Sequence, residues 1–216
     1  MRLYIDSADR VAIQQALSTG YAAGVTTNPT LLRRAGLRRA DLPEFVRAVA
    51  DADAAEIHLQ VLTASVEGMI SDGRWLHGLD PARVLVKVPA TLDGFTAASR
   101  LAAAGVGITV TAVYAARQVV LAEGVGARYA AVYMGRLRDA GQDPLAVITA
   151  MLEVTRAQHM TVRLLVASLR TPEDVEALAA LGAPCATLPV DLFMALPNMA
   201  ATAEAARVFE DDASHL

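Results

Sequence analysis

Leu85-Val86-Lys87-Val88-Pro89 places a single ammonium group inside an apolar run that stops at a proline. A short β-branched run of this kind reads as a buried strand, over Val84 to Val88. A lone charge in such a strand is costly, and a lysine placed there escapes the cost by giving up its proton, which leaves an amine nucleophile suited to carbonyl substrates. The competing reading is a strand-end lysine whose stem lies in the sheet while its head stays in water.

Outward from that run, short apolar stretches alternate with longer helical ones. Strands are expected at Leu3 to Asp6, Gly24 to Thr27, Ile57 to Val61, Gly107 to Thr111, Tyr129 to Tyr133, Val162 to Ala167 and Ala186 to Pro189. Helices are expected at Arg10 to Thr19, Leu31 to Ala35, Leu42 to Asp51, Ser65 to Leu76, Gly94 to Ala103, Ala115 to Glu123, Pro144 to Gln158 and Pro172 to Ala180. Asp143-Pro144 and Thr171-Pro172-Glu173-Asp174 supply a cap, a proline at the first helical position and, in the second case, early negative charge. Eight strands in 216 residues leave about 27 residues per unit, close to a minimal βα repeat. The pattern predicts a single α/β domain over residues 1–216, a (β/α)8 TIM barrel with short loops. A doubly wound open sheet is the alternative, but Ser7-Ala8-Asp9 after the first strand lacks the glycine fingerprint of a dinucleotide site. An extra C-terminal helix over 200–213 runs into Glu210-Asp211-Asp212 and is available to pack on its own barrel or on a neighbouring subunit.

With 54% hydrophobic and 19% charged residues the chain can bury a large core. A net charge of -4 without a dense basic run speaks against nucleic acid as a partner, and Arg33-Arg34 and Arg38-Arg39 read as solvated surface. No stretch is apolar and long enough to span a bilayer, and no signal peptide is evident. The one cysteine, Cys185, reads as a small buried hydrophobe and fits a reducing cytoplasm. Four histidines at scattered positions give no metal-binding spacing, so neither metal nor cofactor is expected.

In a closed barrel the chemistry lies where strands end. Asp6, then Thr26, Thr27 and Asn28, then Gln60, Lys87, Thr111, Tyr133 and Ser168 occupy successive ends, although Asn28-Pro29 is equally a turn and helix-start signal. His58 shares parity with Gln60 and is expected one layer deeper, as a hydrogen-bonded interior histidine. Arg136 and Arg170, with Ser168, could fork onto a phosphate; the alternative is salt bridges to Asp139 or Glu173.

Ile5-Asp6-Ser7, Gly24-Val25-Thr26-Thr27-Asn28-Pro29-Thr30, Val86-Lys87-Val88-Pro89 and Ala167-Ser168-Leu169-Arg170-Thr171-Pro172 resemble the small-subunit transaldolase family, which includes fructose-6-phosphate aldolase. The resemblance implies that Lys87 forms a Schiff base with a ketose and that Asp6 moves the proton of the C4 hydroxyl. It implies that Thr26 and Asn28 hold donor hydroxyls, and that Arg136, Ser168 and Arg170 bind the phosphate of the acceptor aldehyde. It also implies a homo-oligomer, pentamer or decamer. Gln60, Ala131 and Tyr133 are aldolase-like, where transaldolases usually carry glutamate, serine and phenylalanine; Gly135 is transaldolase-like, and His58 replaces an apolar or small residue. Gln60, Thr111 and Tyr133 could hold a water that protonates the enamine. The expectation is a class I aldolase joining dihydroxyacetone to glyceraldehyde 3-phosphate or a related aldehyde. A transaldolase and a non-catalytic sugar-phosphate-binding barrel are the alternatives, and a sulfonate is an alternative anion for the arginines.

Overall fold

The structure is a computed structural model describing residues 1–216. Eight parallel strands pair in chain order and close: β1 (Arg2–Asp6), β2 (Ala22–Thr26), β3 (Glu56–Gln60), β4 (Val84–Pro89), β5 (Ile108–Val113), β6 (Tyr129–Tyr133), β7 (Arg163–Ala167) and β8 (Cys185–Leu188). Pairing of β1 with β8 removes both sheet edges, so the closed barrel holds and the open sheet does not.

The helices outside are α1 (Arg10–Leu17), α2 (Pro29–Arg34), α3 (Leu42–Asp51), α4 (Val66–His77), α5 (Leu92–Ala103), α6 (Ala116–Gly124), α7 (Met134–Asp139), α8 (Pro144–Ala157), α9 (Pro172–Ala180), α10 (Val190–Ala195) and α11 (Ala200–Ala213). Each strand-facing stripe follows helical spacing: α3 buries Leu42, Phe45, Val46 and Val49. Caps stand where the sequence signals them. Asp143 accepts from the Leu145 and Ala146 amides with Pro144 at the first turn, and Thr171 accepts from the Asp174 amide. The short α7 and α10 were not expected, because neither is long enough to display a periodic apolar stripe.

Two layers of apolar packing result. The larger lies between strands and helices, with Ile5, Val25, Ile57, Val86, Val110, Val132, Val166 and Ala186 pointing outward. A smaller plug of Tyr4, Leu85, Tyr129, Leu165 and Cys185 fills the lower barrel. Cys185 is fully buried and its thiol is pushed up to about 11, chiefly by burial, which makes it inert. The floor also holds one buried carboxylate. Glu56 accepts from Tyr129 Oη at 2.8 Å, from Tyr4 Oη at 2.5 Å and from Arg128 at 3.1 Å. Burial raises its pKa, but His58, Tyr4 and Tyr129 more than offset that and hold it well below the usual carboxylate range. His58, wholly buried above it, shares a hydrogen bond between Nδ1 and Thr109 Oγ1 at 2.9 Å, as an interior histidine should.

At the other end, α11 has no buried residue, and Val208 and Phe209 on it stand exposed. It therefore does not bury an apolar stripe on its own barrel. No helix is long and apolar enough to cross a membrane.

Candidate active site

Because inward side chains alternate along each strand, Asp6, Thr26, Gln60, Lys87, Thr111, Ala131 and Tyr133 all reach one cavity of about 600 Å³ at the carboxyl end of the barrel. Gln60 and Lys87 are register partners across β3 and β4, so their shared height follows from strand pairing. Lys87 is 4% exposed, and its Nζ donates to the Thr27 carbonyl at 2.8 Å. The solvated-rim reading of this lysine is thereby excluded. Burial lowers its pKa, with Asp6 opposing the shift. It is also the only lysine of the chain, so no other side chain could offer such an amine.

Asp6 is displaced in the complementary sense. Burial raises its pKa, while Lys87 and a hydrogen bond from Thr26 pull it down. Thr26 Oγ1 donates to Asp6 Oδ1 at 2.8 Å and lies 2.7 Å from Thr187 Oγ1. Having spent its single proton on Asp6, Thr26 must accept from Thr187, which fixes the direction of the chain as Thr187 to Thr26 to Asp6. Thr187 lines the cavity too. Thr187, in β8, extends the series of polar strand ends to the eighth strand.

Asn28 follows β2 and caps α2, its Oδ1 accepting from the Thr30 and Leu31 amides at 3.0 and 3.1 Å. The turn and helix-start reading of Asn28 is therefore realised, and the residue also lines the cavity wall. Across the mouth, Thr111 and Tyr133 share a hydrogen bond of 3.0 Å, and burial raises the Tyr133 phenol. Thr111 reaches that partner through a β-bulge. Between Val110 and Val113 the register with β6 gains a residue, and Ala112 takes φ of 58°. A second left-handed residue, Ser168 (φ 65°), faces the cavity after β7. Strain of this kind, in the bulge of β5 and in the turn after β7, is invisible in an alanine and a serine.

The two arginines part company. Arg136 lines the cavity with its guanidinium 5.0 Å above the Tyr133 ring and no carboxylate partner. Arg170 does not line it. Its Nη2 pairs with Asp139 at 2.6 Å, and Asp139 holds the guanidinium's proton tighter than usual. The salt-bridge alternative is the one realised for Arg170, with Asp139 as its partner. Gly135 makes the remaining pair close: a Cβ there would stand 2.5 Å from the Ser168 carbonyl, and its amide bonds that oxygen at 3.1 Å. Arg136 and Ser168 thus share a rim.

A buried amine, a half-buried carboxyl held by a hydroxyl, a set of neutral donors and a rim arginine without a carboxylate partner thus line one cavity. The profile of "Transaldolase/Fructose-6-phosphate aldolase" matches residues 3–216. A probable transaldolase of Heliobacterium modesticaldum is 34% identical over 196 residues, 91% of this chain and 89% of that protein. One of Oceanobacillus iheyensis is 35% identical over 213 residues, 98% of each. Among solved structures, the flavin-binding domain of baker's yeast flavocytochrome b2 superposes with a TM-score of 0.65 over 91% of this chain and 59% of that one. At 13% identity the likeness carries the barrel fold alone.

Proposed function

This chain belongs to the transaldolase/fructose-6-phosphate aldolase family, and from that membership we propose that Lys87 captures a ketose phosphate as an imine and cleaves its C3–C4 bond. Sugar-phosphate substrates are implied by the family. The observation that carries the reading is the burial of Lys87 Nζ in a polar cavity beside Asp6.

Lys87 Nζ adds to the ketone, the carbinolamine loses water and an iminium remains. Asp6 takes the C4 hydroxyl proton as the C3–C4 electron pair withdraws onto the iminium nitrogen. An aldehyde phosphate departs, and a dihydroxyacetone enamine stays on Lys87. Burial serves both partners: it favours a neutral amine and a carboxyl that ionises late enough to return its proton. Arg136 and Ser168 are placed to hold the anion of the leaving or incoming aldehyde. The iminium is the electron sink, so the chemistry asks for no metal.

Two fates are open to the enamine. Protonation at carbon followed by hydrolysis releases dihydroxyacetone, the aldolase reading, which the uncharged trio Gln60, Thr111 and Tyr133 supports by offering positions for a proton-donating water. Attack on a second aldehyde is the transaldolase reading, which the relatives named probable transaldolases favour. Incubation with fructose 6-phosphate alone distinguishes them. Free dihydroxyacetone at catalytic rates fits release; product only when erythrose 4-phosphate is added makes the protein a transaldolase. A barrel that merely binds sugar phosphates would add no donor mass to Lys87 on borohydride reduction.

For assembly, the whole chain is taken as one barrel unit, and α11 with its exposed Val208 and Phe209 as the element that packs on a neighbouring subunit of a homo-oligomer. Sedimentation of a chain ending at residue 199 tests this: an unchanged oligomer would count against it.

A further inference from the structure

Thr187 and Thr26 stand on either side of β1. The barrel pairs β8 with one edge of β1 and β2 with the other, so that Tyr4 lies level with Thr187 and Asp6 level with Thr26. The 2.7 Å contact between the two hydroxyls therefore crosses β1 inside the barrel, between the Tyr4 and Asp6 side chains. Thr187 is 2% exposed, and the Thr26 hydroxyl is the only partner of its own. A buried hydroxyl with one proton and one partner has its direction set by that partner.

Oδ1 is the only Asp6 carboxylate oxygen that the protein hydrogen-bonds, at 2.8 Å from Thr26 Oγ1. An ionised carboxylate only accepts, so Thr26 gives its proton to Oδ1 and takes the proton of Thr187. Each donor in such a chain polarises the next, and the Thr187 bond strengthens the Thr26 bond. Oδ2 is left to the ligand. When a ketose bound at Lys87 is cleaved, the O–H bond at C4 breaks and an O–H bond forms at Oδ2. The C4 oxygen becomes the aldehyde carbonyl as the C3–C4 pair moves onto the iminium nitrogen. Neither threonine has to turn during this exchange, because Oδ1 is then the carbonyl oxygen of the acid and still accepts.

We propose that Thr187 is a positioning residue which, acting through Thr26, holds Asp6 Oδ1 as an acceptor in both protonation states and reserves Oδ2 for the substrate proton. The inference rests on Asp6 as the group that takes the C4 proton. Lys87, Tyr133, Arg136 and Arg34 are the other titratable or charged groups that line the cavity with Asp6, and none of them is hydrogen-bonded to Thr187. A change at position 187 thus reaches Asp6 by way of Thr26.

The test follows cleavage of fructose 6-phosphate with erythrose 4-phosphate present, so that either fate of the enamine permits turnover. Borohydride labelling of Lys87 by dihydroxyacetone, in which no carbon-carbon bond breaks, runs beside it. Thr187→Val should lower kcat/KM at neutral pH about twofold to tenfold, the rate equivalent of one neutral hydrogen bond, and move the acid limb to higher pH. The half-labelling concentration should change by less than about twofold. Thr187→Ser, which keeps the hydroxyl, should behave as wild type. Thr187→Val added to Thr26→Val should slow the enzyme no further, since the second hydroxyl has then lost the group it acts through. Thr187→Ala removes the same hydroxyl and takes the place of the valine variant if that one does not fold. An acid limb that stays in place overturns the proposal, as do losses that multiply in the double variant. Wild-type cleavage by Asp6→Asn removes the proton role of Asp6 and this inference with it. An inactive Asp6→Asn beside a Thr187→Val that matches wild type removes this inference alone.

Discussion

Thr26→Val isolates the contribution of one hydroxyl at the centre of the site. Thr26 is 1% exposed, donates to Asp6 Oδ1 at 2.8 Å and accepts from Thr187 Oγ1 at 2.7 Å. Valine keeps the shape of the side chain, so packing changes little and the loss is electrostatic. A hydrogen bond to a carboxylate contributes about 1.5–3 kcal/mol and a neutral one about 0.5–1.5 kcal/mol, which places the destabilisation near 3 kcal/mol at neutral pH. For a chain of this length that corresponds to a fall in Tm of roughly 6–12 °C. The pH dependence has a definite sign. The folded pKa of Asp6 lies above its ordinary value, so the stability its proton confers is complete below pH 3.8 and fades as pH rises through the folded value. Thr26 favours the ionised form, so its removal raises that pKa further. The deficit of the variant should thus widen from acid to neutral pH, and the acid limb of its rate profile should move to higher pH. At neutral pH, kcat/KM should drop about tenfold to a hundredfold, the rate equivalent of the lost carboxylate bond. Thermal melts between pH 4 and pH 8 and a kcat/KM profile, with Thr26→Ser as the control that keeps the hydroxyl, are the assays. An acid limb that stays in place while the melting point falls would show that the hydroxyl supports the fold but does not tune Asp6.

Lys87→Met should abolish turnover while raising the denaturant midpoint at pH 7. The folded lysine has a lowered pKa, so its burial penalty is present at neutral pH and fades toward the unfolded value of 10.5; equal midpoints for variant and wild type at pH 7 would contradict it. Tyr133→Phe removes the partner of Thr111 and should slow acceptor-free release of dihydroxyacetone by about 10²–10⁴, with a smaller loss in transfer to an added aldehyde. Equal losses would argue against a water held between these hydroxyls. Arg136→Ala should raise KM for phosphorylated aldehydes about tenfold to a hundredfold with less effect on unphosphorylated ones. Arg170→Ala, tied as it is to Asp139, should change that KM by less than about threefold, and a larger effect would return Arg170 to the phosphate site.

The strands were legible because a parallel barrel strand is buried on both faces and writes itself as a short apolar run. Tyr129–Tyr133 and helices 42–51 and 172–180 fall where periodicity and caps place them. The 8-residue α1 was legible for the same reason and the C-terminal helix from its alanine-rich run, while the six-residue α7 and α10 carry too few turns to show a stripe. At the site, parity along each strand was enough to bring Asp6, Gln60, Thr111 and Tyr133 around Lys87.

Sequence alone therefore determined the alternation, the number of strands and the buried lysine proposed as nucleophile, because burial patterns and an isolated ammonium are local properties of the chain. Tertiary structure decided everything that depends on who meets whom. Closure of β1 on β8, the Thr187 hydroxyl behind Thr26, the bulge that turns Thr111 to Tyr133, and the choice of Asp139 over a ligand by Arg170 are such cases. Each joins residues far apart along the chain through a distance of a few ångströms. Hydrogen bonds and ion pairs depend on distance and direction in space, and no local pattern of residue types encodes either.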